Sequence, residues 1–251
     1  MMAKEISKSN YLQIDPWENL RSLSKARIAL GNSGGSLPTR EVLSFQEDHA
    51  FTKDAIYSDL KEKELLKHLQ DFKLPVYQFQ TKVSDRKEYL KRPDLGKKLA
   101  ETSESENGDF DILFILTDGL AADAINERAI PLLKEILPKL NDYKIGLCLV
   151  KFGRVAIGDE IAEKLNAKFT AVFIGERPGL SSPKSMGIYT TYEPRSETTD
   201  ERRNCISNIH ENGMSIEKAA DLLQYFIKES FRRKISGVKL KASLPNQIDR
   251  K

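Results

Sequence analysis

Cysteine is scarce: there are two in 251 residues, Cys148 and Cys205, in no CxxC pair and no spaced framework. That excludes a small secreted module built on disulfides. His49, His68 and His210 lie far apart, with no HExxH or HxH spacing, so no metal site is expected. Long hydrophobic runs are missing: none reaches the roughly 18 residues that suggest a membrane helix. The start, MMAKEISKSNYLQIDPW, lacks the apolar core of a signal peptide. Excess charge of one sign is missing too. The 40 basic side chains face 37 acidic ones, a net charge of +3, and they are interleaved, which gives no grounds for a nucleic-acid partner. Neither GxGxxG after a strand nor GxxxxGK(S/T) occurs, which argues against a nicotinamide or P-loop enzyme. The expectation is a cytoplasmic globular protein with no nucleic-acid and no membrane partner.

What is present reads as an α/β protein. A chain that is 39% hydrophobic and 31% charged has the length to bury its own core. Residues 1–25 form a polar N-terminal extension, and 26–108 a mainly helical region. In it, Leu43 to Phe72 reads as helical, Val76–Phe79 as a short strand and Ser84–Leu90 as another helix. Residues 92–108, ending in ETSESENG, read as a solvated linker. From 109 to 251 the pattern is that of a Rossmann-like domain with C-terminal helices. FDILFILT, KIGLCLVKF and FTAVFIG are short apolar runs separated by helical stretches, which predicts a parallel sheet with right-handed crossovers. Pro131 should start or kink the first of those helices. Ile188–Tyr192 reads as an extra strand. Ser215 should cap a helix striped by Ile216, Ala219, Ala220, Leu223, Phe226 and Ile227.

Ligands of such sheets bind beyond the carboxyl ends of the strands. Three glycine-containing polar loops stand there: Thr117-Asp118-Gly119, Phe152-Gly153-Arg154-Val155 and Gly175-Glu176-Arg177-Pro178-Gly179. The glycines of GNSGG at 31–35 open no βαβ unit and read as a simple turn. Cys148, inside an apolar run, reads as core. Cys205, in ERRNCISN, reads as a contact residue; a reactive thiol would need a lowered pKa, for which Arg202 and Arg203 are the nearby charges. Cobalamin proteins that exchange the cofactor's own base for histidine use a DxHxxG loop. Here the text is Asn208-Ile209-His210-Glu211-Asn212-Gly213: the aspartate is replaced, and the loop is not expected to follow a sheet strand.

Five segments in order carry a family resemblance: ARIALGNSGGSLPTREVLSFQEDHAFTKDAI (26–56), DILFILTDGLAADAI (111–125), VKFGRVAIGDEI (150–161), VFIGERPGLSSPKSMGIYTTYEPR (172–195) and RRNCISNIHENGMS (202–215). Together they closely resemble the small subunit of ethanolamine ammonia-lyase. The resemblance implies a two-subunit lyase that converts ethanolamine to acetaldehyde and ammonia by a radical mechanism with adenosylcobalamin, bound base-on. It implies a Rossmann-like small subunit facing a (β/α)8-barrel large subunit that holds substrate, six large plus six small in all. Three cofactor contacts carry over: Val155 in GRVAIGD, Glu176 in GERPGL and Cys205 in RNC. Asp118 and Arg154 are expected to support these contacts from behind. No catalytic acid, base or nucleophile is expected in this chain. Many members bear an amphipathic N-terminal tag for a bacterial microcompartment; this polar start lacks that pattern. Two other classes are a self-contained hydrolase-like enzyme using Asp118 or Cys205, and a regulatory nucleotide-binding domain.

Overall fold

Apolar runs take the centre of a sheet when both faces are covered. In the computed structural model, which describes residues 16–24, 26–101 and 108–242, the strands are Val76–Gln80 (β1), Phe110–Thr117 (β2), Ile145–Lys151 (β3), Ala167–Gly175 (β4), Met186–Tyr192 (β5) and Arg203–Ile209 (β6). They form one sheet in the order β1-β3-β2-β4-β5-β6. The first four are parallel, β5 runs antiparallel to β4, and β6 antiparallel to β5. The helices are Glu18–Ser22 (α1), Thr39–Ile56 (α2), Glu62–Gln70 (α3), Arg86–Lys91 (α4), Ala122–Ile136 (α5), Ile157–Lys164 (α6) and Ile216–Arg233 (α7). Among the described residues no helix is long and apolar enough to cross a membrane.

The chain divides into two units, residues 1–50 and 51–251. In the first, the glycine stretch is the simple turn expected, with the Ser33 N–H donating to Ser36 O at 2.7 Å. Arg27 pairs with Asp48 at 2.6 Å and lies 5.1 Å from the Phe45 ring centroid. The second unit holds the sheet. One face of it, through Ile112, Phe114 and Leu116 of β2 and Phe169 and Phe173 of β4, joins a core with α3, α5 and α7. The other face, through Leu113, Ile115, Val172 and Ile174, packs on Ile157 and Ile161 of α6. Cys148 is fully buried in that second cluster, as core packing requires. The Ser215 hydroxyl caps α7 by accepting from the Lys218 N–H.

Three local expectations are corrected. The helical text from 43 to 72 is two helices, because α5 holds the break between them through backbone and side chain. The Lys61 N–H donates to Asn126 Oδ1 at 3.0 Å, Asn126 Nδ2 to Asp59 O at 3.0 Å, and the Asp123 N–H to Ser58 Oγ at 3.2 Å. Of the two places open to Pro131, it takes the interior of α5 and not its start. The segment 92–101 is exposed at Arg92, Asp94 and Glu101 yet tied to the fold toward its end: the Ala100 N–H donates to Gln80 O at 2.8 Å and the Leu99 N–H to Glu160 Oε2 at 2.6 Å. The rest of the supposed linker, 102–107, lies outside the described residues, as do 1–15 of the polar extension. Finally, Arg203–Ile209 is a sheet strand. Its polar text belongs to an edge, where one side of the ladder and part of one face meet solvent.

Candidate functional site

Parallel strands deliver their following loops to one edge, and β6, twice reversed relative to β4, delivers its own loop there too. Backbone contact locks these loops together. The Leu120 N–H donates to Gly175 O at 2.9 Å. A Cβ on Gly175 would stand 2.1 Å from Ala121 O and 2.5 Å from Asp118 O, so a side chain there would force the loops apart.

Two carboxylates organise the edge in the same way. Asp118 accepts from the Phe152 N–H at 2.6 Å, and Glu176 accepts from the Asn208 N–H at 3.2 Å. Phe152 and Asn208 both have left-handed backbone, with φ of 59° and 60°. Such a conformation costs a phenylalanine energy and persists where its surroundings hold it. Glu176 also accepts from the Ser185 hydroxyl.

Asp118 is buried, paired with Arg86 Nη1 at 3.1 Å. Arg86 also donates to Gly119 O at 2.7 Å and to Ile56 O at 2.6 Å, so one side chain of α4 ties the end of α2 to the loop after β2. Burial is the largest influence on Asp118 and pushes its pKa up to about 6, against the opposing pull of Arg86 and the Phe152 N–H. The folded protein therefore holds this proton more tightly than the unfolded chain, where the group titrates near 3.8. Stability contributed by this group falls as pH rises from about 4 to 6, by on the order of 3 kcal/mol. The Asp118 carboxyl resonance is expected to titrate near pH 6, and Asp118→Asn to flatten the stability profile between pH 4 and 6. A midpoint below 4 contradicts this.

Two adjoining clefts open on this edge. The first, about 490 Å³, is walled by Ile174, Gly175, Glu176, Tyr189, Ser207 and Asn208, among others. The second, about 390 Å³, includes Lys97, Ala156, Asp200, Arg203 and Cys205. Arg154, Val155 and Tyr189 line both. Of the three carried-over positions, Glu176 lines the first cleft, Cys205 the second and Val155 both. Beneath them lies Tyr89, fully buried, its hydroxyl donating to Gly153 O at 3.0 Å. Both the Arg86 and Arg154 guanidinium carbons stand near its ring centroid, at 5.0 and 4.1 Å. Among the described residues no three His, Cys, Asp or Glu side chains gather to hold a metal ion.

A sequence model described as "Ethanolamine ammonia-lyase light chain (EutC)" matches residues 14–241. The chain belongs to this family. Three proteins named "Ethanolamine ammonia-lyase small subunit" illustrate the relation. One from Pseudomonas fluorescens (strain Pf0-1) is 42% identical over 238 residues, 90% of this chain and 87% of the relative. One from Xanthomonas campestris pv. campestris (strain B100) is 43% identical, covering 90% and 88%. One from Rhodopseudomonas palustris (strain BisA53) is 41% identical over 231 residues, covering 89% and 88%.

In this light-chain family member, sequence reasoning passed over Tyr189 and Tyr89. Tyr189 lies in the quoted segment 172–195 and pairs in register with Cys205; a period-two reading of a strand at 186–192 would have placed it opposite the core-facing Ile188. The reactive-thiol reading of Cys205 is not supported. Burial pushes the thiol pKa up, although the residue as a whole is exposed, and the hydrogen bond from Tyr189 only partly offsets this. Arg203, one of the two charges that could have lowered it, is bound to Asp159 instead. The loop bearing His210 does follow a sheet strand, contrary to expectation, and it reaches the same edge. Its Asn208 is held there through the backbone N–H.

Proposed function

We propose that this chain holds the base-on adenosylcobalamin of a two-subunit ethanolamine ammonia-lyase, with a large barrel subunit that closes the clefts and binds the substrate. One observation carries the reading: two adjoining clefts at the carboxyl edge share Val155 and have Glu176 and Cys205 on their walls. Their chemistry suits a corrinoid, a broad, largely apolar ring rimmed by amides. Val155, with Ile174 and Tyr189 nearby, supplies apolar surface. Glu176 supplies an acceptor for amide or ribose hydrogens, and its own position is fixed by Ser185 and Asn208. Cys205 packs toward the nucleotide side.

When bound, the cofactor supplies the 5'-deoxyadenosyl radical that takes hydrogen from the substrate. The residues of this chain bind, orient and exclude water, and none is asked to act as acid, base or nucleophile. An assembly of six large and six small subunits, in the cytoplasm or within a microcompartment, belongs to the same proposal.

The test is Glu176→Ala in the complex with the large subunit. The cofactor concentration for half-saturation should rise about tenfold, while ammonia release at saturating cofactor stays within about twofold of the parent. Unchanged cofactor affinity with a collapsed saturated rate overturns the reading.

A further inference from the structure

Four arginines stand at or behind the clefts, Arg86, Arg154, Arg177 and Arg203, and two of them, Arg203 and Arg86, have carboxylate partners among the described residues. Arg203 is held by Asp159 at 2.6 Å, and Arg86 by Asp118 at 3.1 Å. Arg154 has none among the described residues, yet it is the one that lines both clefts. It is also firmly placed. Its Nη2 donates to Tyr89 O at 2.9 Å, its backbone N–H donates to Gly96 O at 2.8 Å, and its guanidinium carbon lies 4.1 Å from the Tyr89 ring centroid. Its Nε is buried with no acceptor.

A half-buried guanidinium that lines both clefts with no acid beside it suits an anion from outside the chain. The tyrosine seat has already restricted the side chain, so binding an anion costs little further ordering. Other charges around the clefts are Lys97 and Asp200 in the second and Glu176 and Arg177 in the first. Glu176, committed to Ser185 and Asn208, disfavours an anion beside it and beside Arg177, and Arg154 is the cation that both clefts share.

Cobalamin carries one ionised group, the phosphodiester of its nucleotide loop. Resting on the cofactor reading above, we infer that Arg154 binds this phosphodiester from its seat on Tyr89. The residue expected from sequence to stand behind the contacts is then itself a contact, and a cationic one.

The experiment titrates the complex with the large subunit, following the visible absorption of the corrinoid. The probes are hydroxocobalamin and dicyanocobinamide, which lacks the phosphodiester, ribose and base. Arg154→Met should weaken cobalamin binding about 10- to 100-fold and leave cobinamide binding within about twofold. Arg154→Lys keeps the charge but not the fork. It should show the same selective loss in milder form, and it carries the test if the methionine variant does not fold. Equal losses for both corrinoids assign Arg154 a purely structural role and overturn the inference, as does unchanged cobalamin affinity. Failure of the unmodified complex to bind cobalamin is a separate result, and it removes the cofactor reading itself.

Discussion

Arg203→Ala is expected to destabilise the protein by about 3–5 kcal/mol, the cost of leaving one member of a buried ion pair alone. Arg203 grips Asp159 with both terminal nitrogens, at 2.9 and 2.6 Å, and also donates to Thr191 Oγ1 at 3.1 Å and Thr198 O at 3.0 Å. Burial already pushes the Asp159 carboxyl pKa up in the intact protein, with Arg203 opposing it. Without the arginine, Asp159 must take a proton or draw in water. Urea unfolding at pH 7 measures the loss, and a change under about 1 kcal/mol would show that solvent reaches the pair. Replacing both partners, as Asp159→Leu with Arg203→Met, should recover most of the stability, because two well-packed apolar groups avoid the desolvation of either charge. The pair also matters for the site. Asp159 sits in the first turn of α6, four residues after Val155, and Arg203 lies two residues before Cys205. It therefore ties together the two sides of the second cleft.

Tyr89→Ala should be nearly as damaging, at about 3–5 kcal/mol for a fully buried aromatic ring, whereas Tyr89→Phe should cost only about 1 kcal/mol for the hydrogen bond to Gly153 O. The contrast separates the ring from the hydroxyl. The ring is what two guanidinium groups approach and what the Gly96 turn packs against, with a Cβ there 3.3 Å from Tyr89 Cε2. The phenylalanine variant keeps that seat, so its cofactor affinity in the complex should match the parent. If both variants lose stability equally in chemical denaturation, the hydroxyl and not the ring organises the region.

The central strands could be read directly. FDILFILT is apolar at every position but Asp111 and Thr117, and it became β2, paired on both sides and covered on both faces. The loops after β2, β3 and β4 were equally plain, since a parallel sheet leaves them nowhere else to go. The cap at Ser215 and the stripe of α7 followed from spacing alone. The edge strands were harder. In β6, Cys205, Ser207 and Asn208 look outward or to an edge, and a half-solvated strand does not show the continuous apolar text of a central one. The break between α2 and α3 had no strong local signal, because its partners, the Asn126 side chain and the Asp123 N–H, come from α5.

Amino-acid order alone therefore determined the βαβ core, the sheet edge on which the two clefts open and the family to which the chain belongs, since strand patterning, turn residues and motif order are properties of short windows. Tertiary structure alone decided which charges cancel. Arg203 found Asp159 across 44 positions, Arg86 found Asp118 across 32, and Arg154 was left on an aromatic ring facing the clefts. Electrostatic pairing and desolvation depend on distances in space, and separation along the chain does not carry them.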